Sequence, residues 1–228
     1  MGLDASICSP YAEFRCLTCD DEKSSVSDDC DYTLGGHYRH CMKQDGRGKK
    51  MPASEMMRAA DAAALFTREG MLDEAASSDD PRRAEACRAV ATEILTPGMP
   101  LAALPVESLY KPWSAMSTEL AAAKGLYMGD PAHHLLHVYA ECGIEVPPAF
   151  SATPDHLALI VELAALLAEA GNAEGAAQVV ADHLDWLATY DAELAERAAK
   201  AFGIAPLEEG IAMLRKQLAE LMDLVGSF

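Results

Sequence analysis

Residues 153–172, TPDHLALIVELAALLAEAGN, constrain the fold most tightly. The run reads as one helix with signals at both ends. Thr153 can cap it, Pro154 suits the first helical position, and Gly171-Asn172 stops it. Asp155 then falls at N2, where the helix dipole favours a negative charge, and His156 at N3, where the same dipole favours a neutral imidazole. Asp155, Glu162 and Glu169 recur every seven residues, so the three carboxylates share one face, and every other face is Leu, Ile, Val or Ala. The stripe is either the narrow solvated edge of an amphipathic helix or one wall of a groove that accepts a basic, partly apolar peptide.

A helix this apolar must be covered, and the rest of the chain has the means. Ala is abundant and aromatics make up 6% of 228 residues, which suits closely packed helices better than strands. The expected fold is all-α, a compact single-domain helical bundle preceded by a Cys-rich N-terminal extension. Residues 1–50 form the extension, residues 51–228 the bundle, and the boundary lies at about Gly46 to Pro52. Ser54 is read as the cap of a helix running through MPASEMMRAADAAALFTREGMLDEAA. Asp80 and Pro81 open the next helix, which ends at Pro97-Gly98. Three prolines make MPLAALPVESLYKPW irregular. Helices are expected at 114–126, through PAHHLLHVYAECG, and near 173–189, 191–202 and 206–225.

Charge excludes whole classes of function. The chain holds 18 basic and 36 acidic residues, net −18. The first 50 residues account for −2 and the helical body for −16. Nucleic acid is not an expected partner, because phosphate binding needs cationic clusters. A partner with a basic segment would be drawn in instead. The longest apolar run, Leu157 to Ala168, is too short to span a membrane and is broken by Glu162, and no cleavable signal is visible. A cytoplasmic location with reduced thiols is therefore expected.

Three motifs carry a family resemblance. PDHLALIVELAALL resembles the P-x-D-H and E-L signature of the TorD/DmsD/NarJ-like chaperones, LPVESLYKPW resembles their P-x-E-S-x-Y segment, and ADHLDWLATY is similar to their H-L-x-W stretch. Order and spacing agree across about residues 97 to 225. The resemblance implies a cytoplasmic, non-enzymatic chaperone. Such a chaperone binds the twin-arginine signal peptide (the leader) of a molybdenum-containing oxidoreductase and holds its apo form until the cofactor is inserted. It implies a role for Asp155 and His156 in leader recognition, and makes Glu162, Glu107, Ser108 and Tyr110 candidates for the site or its scaffold. Trp113 and Trp186 join them on physical grounds, as aromatic faces suited to an Arg or Leu side chain. Charge reversal at Asp155 is expected to weaken leader binding without unfolding the chain. The sequence departs from the family pattern at Ala164-Ala165, where an aromatic is usual, and at Ser151-Ala152-Thr153, where an acidic residue often precedes the motif. No cofactor is required for this role, and formation of a homodimer stays open.

The N-terminal extension suggests separate chemistry. Cys16 and Cys19 form a C-x-x-C knuckle that Cys30 and Cys41 could complete as a tetrahedral zinc site, with His37, His40 and Cys8 as alternates. An iron–sulfur cluster, a redox-active thiol pair and unliganded cysteines are the other readings. They support a rival function, a metal- or redox-sensing regulatory protein acting through this segment. Cys87 and Cys142 read as core thiols. His133, His134 and His137 share a helix but lack the glutamate of H-E-x-x-H, and no nucleophile motif or phosphate loop is present. An enzyme using Asp155 and His156 as a dyad would need a third group that the sequence does not supply.

Overall fold

The computed structural model describes residues 52–114 and 122–226. Eight α-helices occur among them: α1 Ala53–Ala64, α2 Arg68–Ser77, α3 Pro81–Glu93, α4 Asp130–Glu141, α5 Leu157–Glu169, α6 Ala173–His183, α7 Leu187–Lys200 and α8 Ala205–Val225. No strand occurs among the described residues; an antiparallel bridge joins Val106 to His156. The all-α expectation holds. The proposed ligands Cys8, Cys16, Cys19, Cys30, His37, His40 and Cys41 lie outside the described residues.

The core is built around α5. Nine of its residues are buried, from Leu157 to Leu167, because α1 and α6 both pack along it. The remaining helices extend this centre, with α8 against α1, α3 and α7, and α2 against α3. The α3–α8 contact depends on Gly210, where a Cβ would stand 2.6 Å from the Ala86 carbonyl oxygen. Removing that side chain lets the two backbones meet. Cys87 and Cys142 are both buried free thiols, and burial raises the pKa of each.

Several boundaries differ from the sequence reading, each for a local reason. The first periodic stretch is two helices. Thr67 breaks it by donating its hydroxyl to Ala64 O and accepting from Gly70 N, so it caps α2. Ser54 lies inside α1, and Pro52 occupies the cap position. Asp80 caps α3 through Arg82 N at 3.0 Å, as its sequence suggests. The helix expected at 114–126 is absent where it can be seen, since Ser114 and residues 122–126 are not helical. The helix placed at 173–189 stops at His183, and α7 restarts at Leu187.

Candidate functional site

The site forms where an irregular segment crosses the start of α5. Leu157 N donates to Pro105 O at 2.8 Å and Glu107 N to Asp155 O at 3.0 Å, a short ladder that joins LPVES to PDHL. This ladder holds Glu107–Leu109 in a 3-10 turn. Prolines exclude helix on both sides of the turn, so the backbone must find its partners elsewhere. Asp155 supplies one of them: its Oδ2 accepts from the Ser108 amide at 2.7 Å and also from the Ser108 hydroxyl. Asp155 is completely buried, and its second oxygen, Oδ1, has no hydrogen-bond partner.

His156, and not Thr153, caps α5. Its Nδ1 accepts from Ala158 N at 3.2 Å, and burial pushes its pKa down to about 3. A nitrogen that accepts a hydrogen bond cannot carry the proton, so the ring is neutral, as the dipole argument requires. Placing Asp155 before the helix also changes the carboxylate stripe. Glu162, Leu166 and Glu169 follow the one side of α5 that is not fully buried, and Asp155 is not part of it. Glu162 is half-buried, and burial raises its pKa to about 7. It makes no hydrogen bond or ion pair among the described residues. Burial, aided by Asp155, Glu162 and Glu107, holds the Tyr139 hydroxyl well above its ordinary pKa.

Glu107 opens a second network. Its Oε2 lies 2.8 Å from His183 Nδ1, and His183 Nε2 lies 2.8 Å from His134 Nδ1. A carboxylate only accepts, so His183 donates from Nδ1; a neutral His183 ring then accepts at Nε2 from the Nδ1–H of His134. Burial and then the His183 ring keep the His134 pKa below its usual value. Glu107 Oε1 is paired with Lys111 Nζ at 2.7 Å, and the same ammonium reaches Asp185 Oδ1 and Asp182 O, each at 2.6 Å. Burial opposes that charge, but the Asp185 and Glu107 carboxylates outweigh it and raise the lysine's pKa. Trp186 donates to His183 O at 2.6 Å and stacks on Tyr110 at 5.1 Å between ring centroids.

The structure thus brings together Asp155, His156, Glu107 and Ser108 directly, and Tyr110 with Trp186. Two expectations need correction. Trp186 does not offer an exposed face: it is 3% exposed, wedged against Tyr110 and Tyr190. Asp155 does not line an open wall either, because the 3-10 turn covers it. Trp113 and Tyr110 are partly exposed, and Trp113 donates from its indole to Tyr127 O at 3.2 Å. The sequence reading missed His183, Lys111, His134 and Gly129. His183 stands inside ADHLDWLATY, and Lys111 lies four residues after Glu107 at ion-pairing distance, so both left a trace in the sequence. The contacts of His134 and Gly129 join residues too far apart in the chain to leave one.

These motifs all fall within residues 59–201, which match the family model described as nitrate reductase delta subunit. The matched span is more than half of the chain. The chain belongs to this family. Nitrate reductase delta proteins are NarJ/TorD-type chaperones that mature redox enzymes, and their molybdoenzyme partnership agrees with the resemblance carried by the three motifs. Comparison with curated proteins and with solved structures gave no match. Among the described residues no helix is long and apolar enough to cross a membrane, and no cluster of His, Cys, Asp or Glu is arranged to hold a metal.

Proposed function

We propose that this nitrate reductase delta family chaperone acts in the cytoplasm. There it binds the twin-arginine leader of a molybdenum-containing oxidoreductase and keeps the apoprotein competent for cofactor insertion. The observation that carries the reading is a pair of uncompensated acids beside an apolar helix. Asp155 Oδ1 is fully buried with no donor, and Glu162 is half-buried in α5 with no ion pair among the described residues. Leaving such groups unpaired costs free energy, and a guanidinium brings planar, charged donors that match a carboxylate's two oxygens. The apolar stretch of the leader would lie along the neighbouring aliphatic and aromatic surface.

Fluorescence anisotropy with a labelled peptide bearing paired arginines and an apolar tail tests the reading. A control peptide with paired lysines should bind at least tenfold more weakly, since lysine lacks the bidentate fork. Equal affinity for the two peptides would contradict an arginine site.

A further inference from the structure

Asp155 is enclosed on one side by a segment whose construction bears on how a ligand could enter. Residues 123–130 run beside 108–114, joined by Gly125 N to Leu109 O at 3.0 Å, Gly129 N to Ser108 Oγ at 3.1 Å and Asp130 N to Trp113 O at 2.8 Å. The Gly129 contact reaches the same hydroxyl that donates to Asp155, so this segment and the buried acid share one serine.

The segment holds three features that a passive connection does not need. Gly125 and Met128 both have positive φ, +79° and +57°. Gly tolerates that conformation freely, whereas Met is strained in it. Gly129 lies so close to Trp113 that a Cβ would stand 2.8 Å from its carbonyl oxygen. Between these points Leu126 and Tyr127 expose 41% and 42% of their surface. Asp155 is near enough to raise the Tyr127 pKa, though less than burial does.

We propose that residues 125–129 are a strap that closes the leader site, opening at Gly125 and Met128 so that an incoming guanidinium displaces Gly129 from Ser108 and takes the unpaired oxygen of Asp155. Opening releases the strained Met128 backbone. Leu126 and Tyr127 would then cover the apolar part of the leader. This step rests on the leader-binding reading above and adds its gating.

Two substitutions should move the strap in opposite directions while leaving Asp155 and Ser108 in place. Gly129→Ala forces a Cβ against Trp113 and props the strap open, which should raise the association rate of the labelled paired-arginine peptide about tenfold in stopped-flow anisotropy. Met128→Asn relieves the positive φ in the closed form and should lower that rate roughly threefold. In the wild type, peptide should speed amide exchange across residues 125–129.

Association rates that stay at the wild-type value in both variants, with exchange unchanged, would overturn the strap and leave leader binding intact. No binding of the peptide to the wild type would overturn the leader reading and the strap with it. If Gly129→Ala fails to fold, the Met128→Asn rate and the exchange measurement still decide the matter.

Discussion

The Ser108 amide donates to Asp155 Oδ2 at 2.7 Å across 47 residues of sequence, and this contact fixes the 3-10 turn to the entry of α5. Asp155 is therefore scaffold as well as candidate ligand. Asp155→Lys should fail to fold, because an ammonium cannot accept from Ser108 and would be buried without a partner. That revises the expectation that charge reversal at this position would spare the fold. Asp155→Asn can keep one acceptor toward Ser108 and should lose about 1–3 kcal/mol in urea unfolding.

Glu162 predicts a pH dependence of the opposite sign to that of a salt-bridged acid. Burial raises its folded pKa to about 7, so the folded state binds the extra proton. Its contribution to stability is fully present below the unfolded value of 4.5 and is lost as pH rises through 7. Glu162→Gln should raise stability at pH 8 by about 1–2 kcal/mol after allowance for partial exposure, and flatten the profile between pH 5 and 8. Chemical denaturation at several pH values reads both effects.

His156 works in the other direction. Its folded pKa lies near 3 because the ring is buried, while an unfolded histidine titrates near 6.5. Stability from this residue is complete above that value and is lost as pH falls toward 3, because the unfolded chain takes up the proton first. His156→Asn keeps an acceptor at the cap and removes the titration. Its stability should change less between pH 7 and 4 than that of the wild type.

The Glu107–His183 contact supports the same junction from the other side. Glu107→Gln weakens the pairing with Lys111 and should cost about 1–3 kcal/mol, while its amide oxygen still accepts from His183 Nδ1 and keeps the imidazole tautomers. His183→Ala should do at least as much, since it leaves Glu107 Oε2 buried without a donor. Nitrogen-15 spectra of the imidazoles check the tautomer, and urea unfolding checks the energy.

Cys16, Cys19, Cys30 and Cys41 are proposed as ligands of one zinc ion on the strength of their spacing. Elemental analysis of protein purified without chelator should find one zinc per chain, and Cys16→Ser should abolish it. Protein without stoichiometric metal would remove the proposal.

Much of the fold was legible because its signals are local. The Asp80-Pro81 start of α3, the apolar continuity of α5 and the breaks at Gly143, Gly171 and Gly203 follow from short-range rules, and all three glycines adopt positive φ. The errors arose where distant contacts decided the outcome. Thr153-Pro154-Asp155 has the composition of a helix start, but the ladder to Pro105 and Glu107, with a turn closed by His156 N donating to Thr153 O, keeps it outside the helix and passes the cap to His156. Trp113 and Trp186 rest on side-chain chemistry alone, whereas Asp155, His156, Glu162, Glu107, Ser108 and Tyr110 are legible by motif. Their burial was not legible, because nothing in ESLY or PDHL states that each will cover the other.

Calorimetric titration of the full chain with the paired-arginine leader tests the central claim most directly, when run at pH 8 on the wild type and on Glu162→Gln. The account predicts one leader per chain for the wild type and an affinity at least tenfold weaker for the variant, whose fold should be more stable rather than less. Equal affinities for the two proteins, or no heat of binding to the wild type, would contradict it.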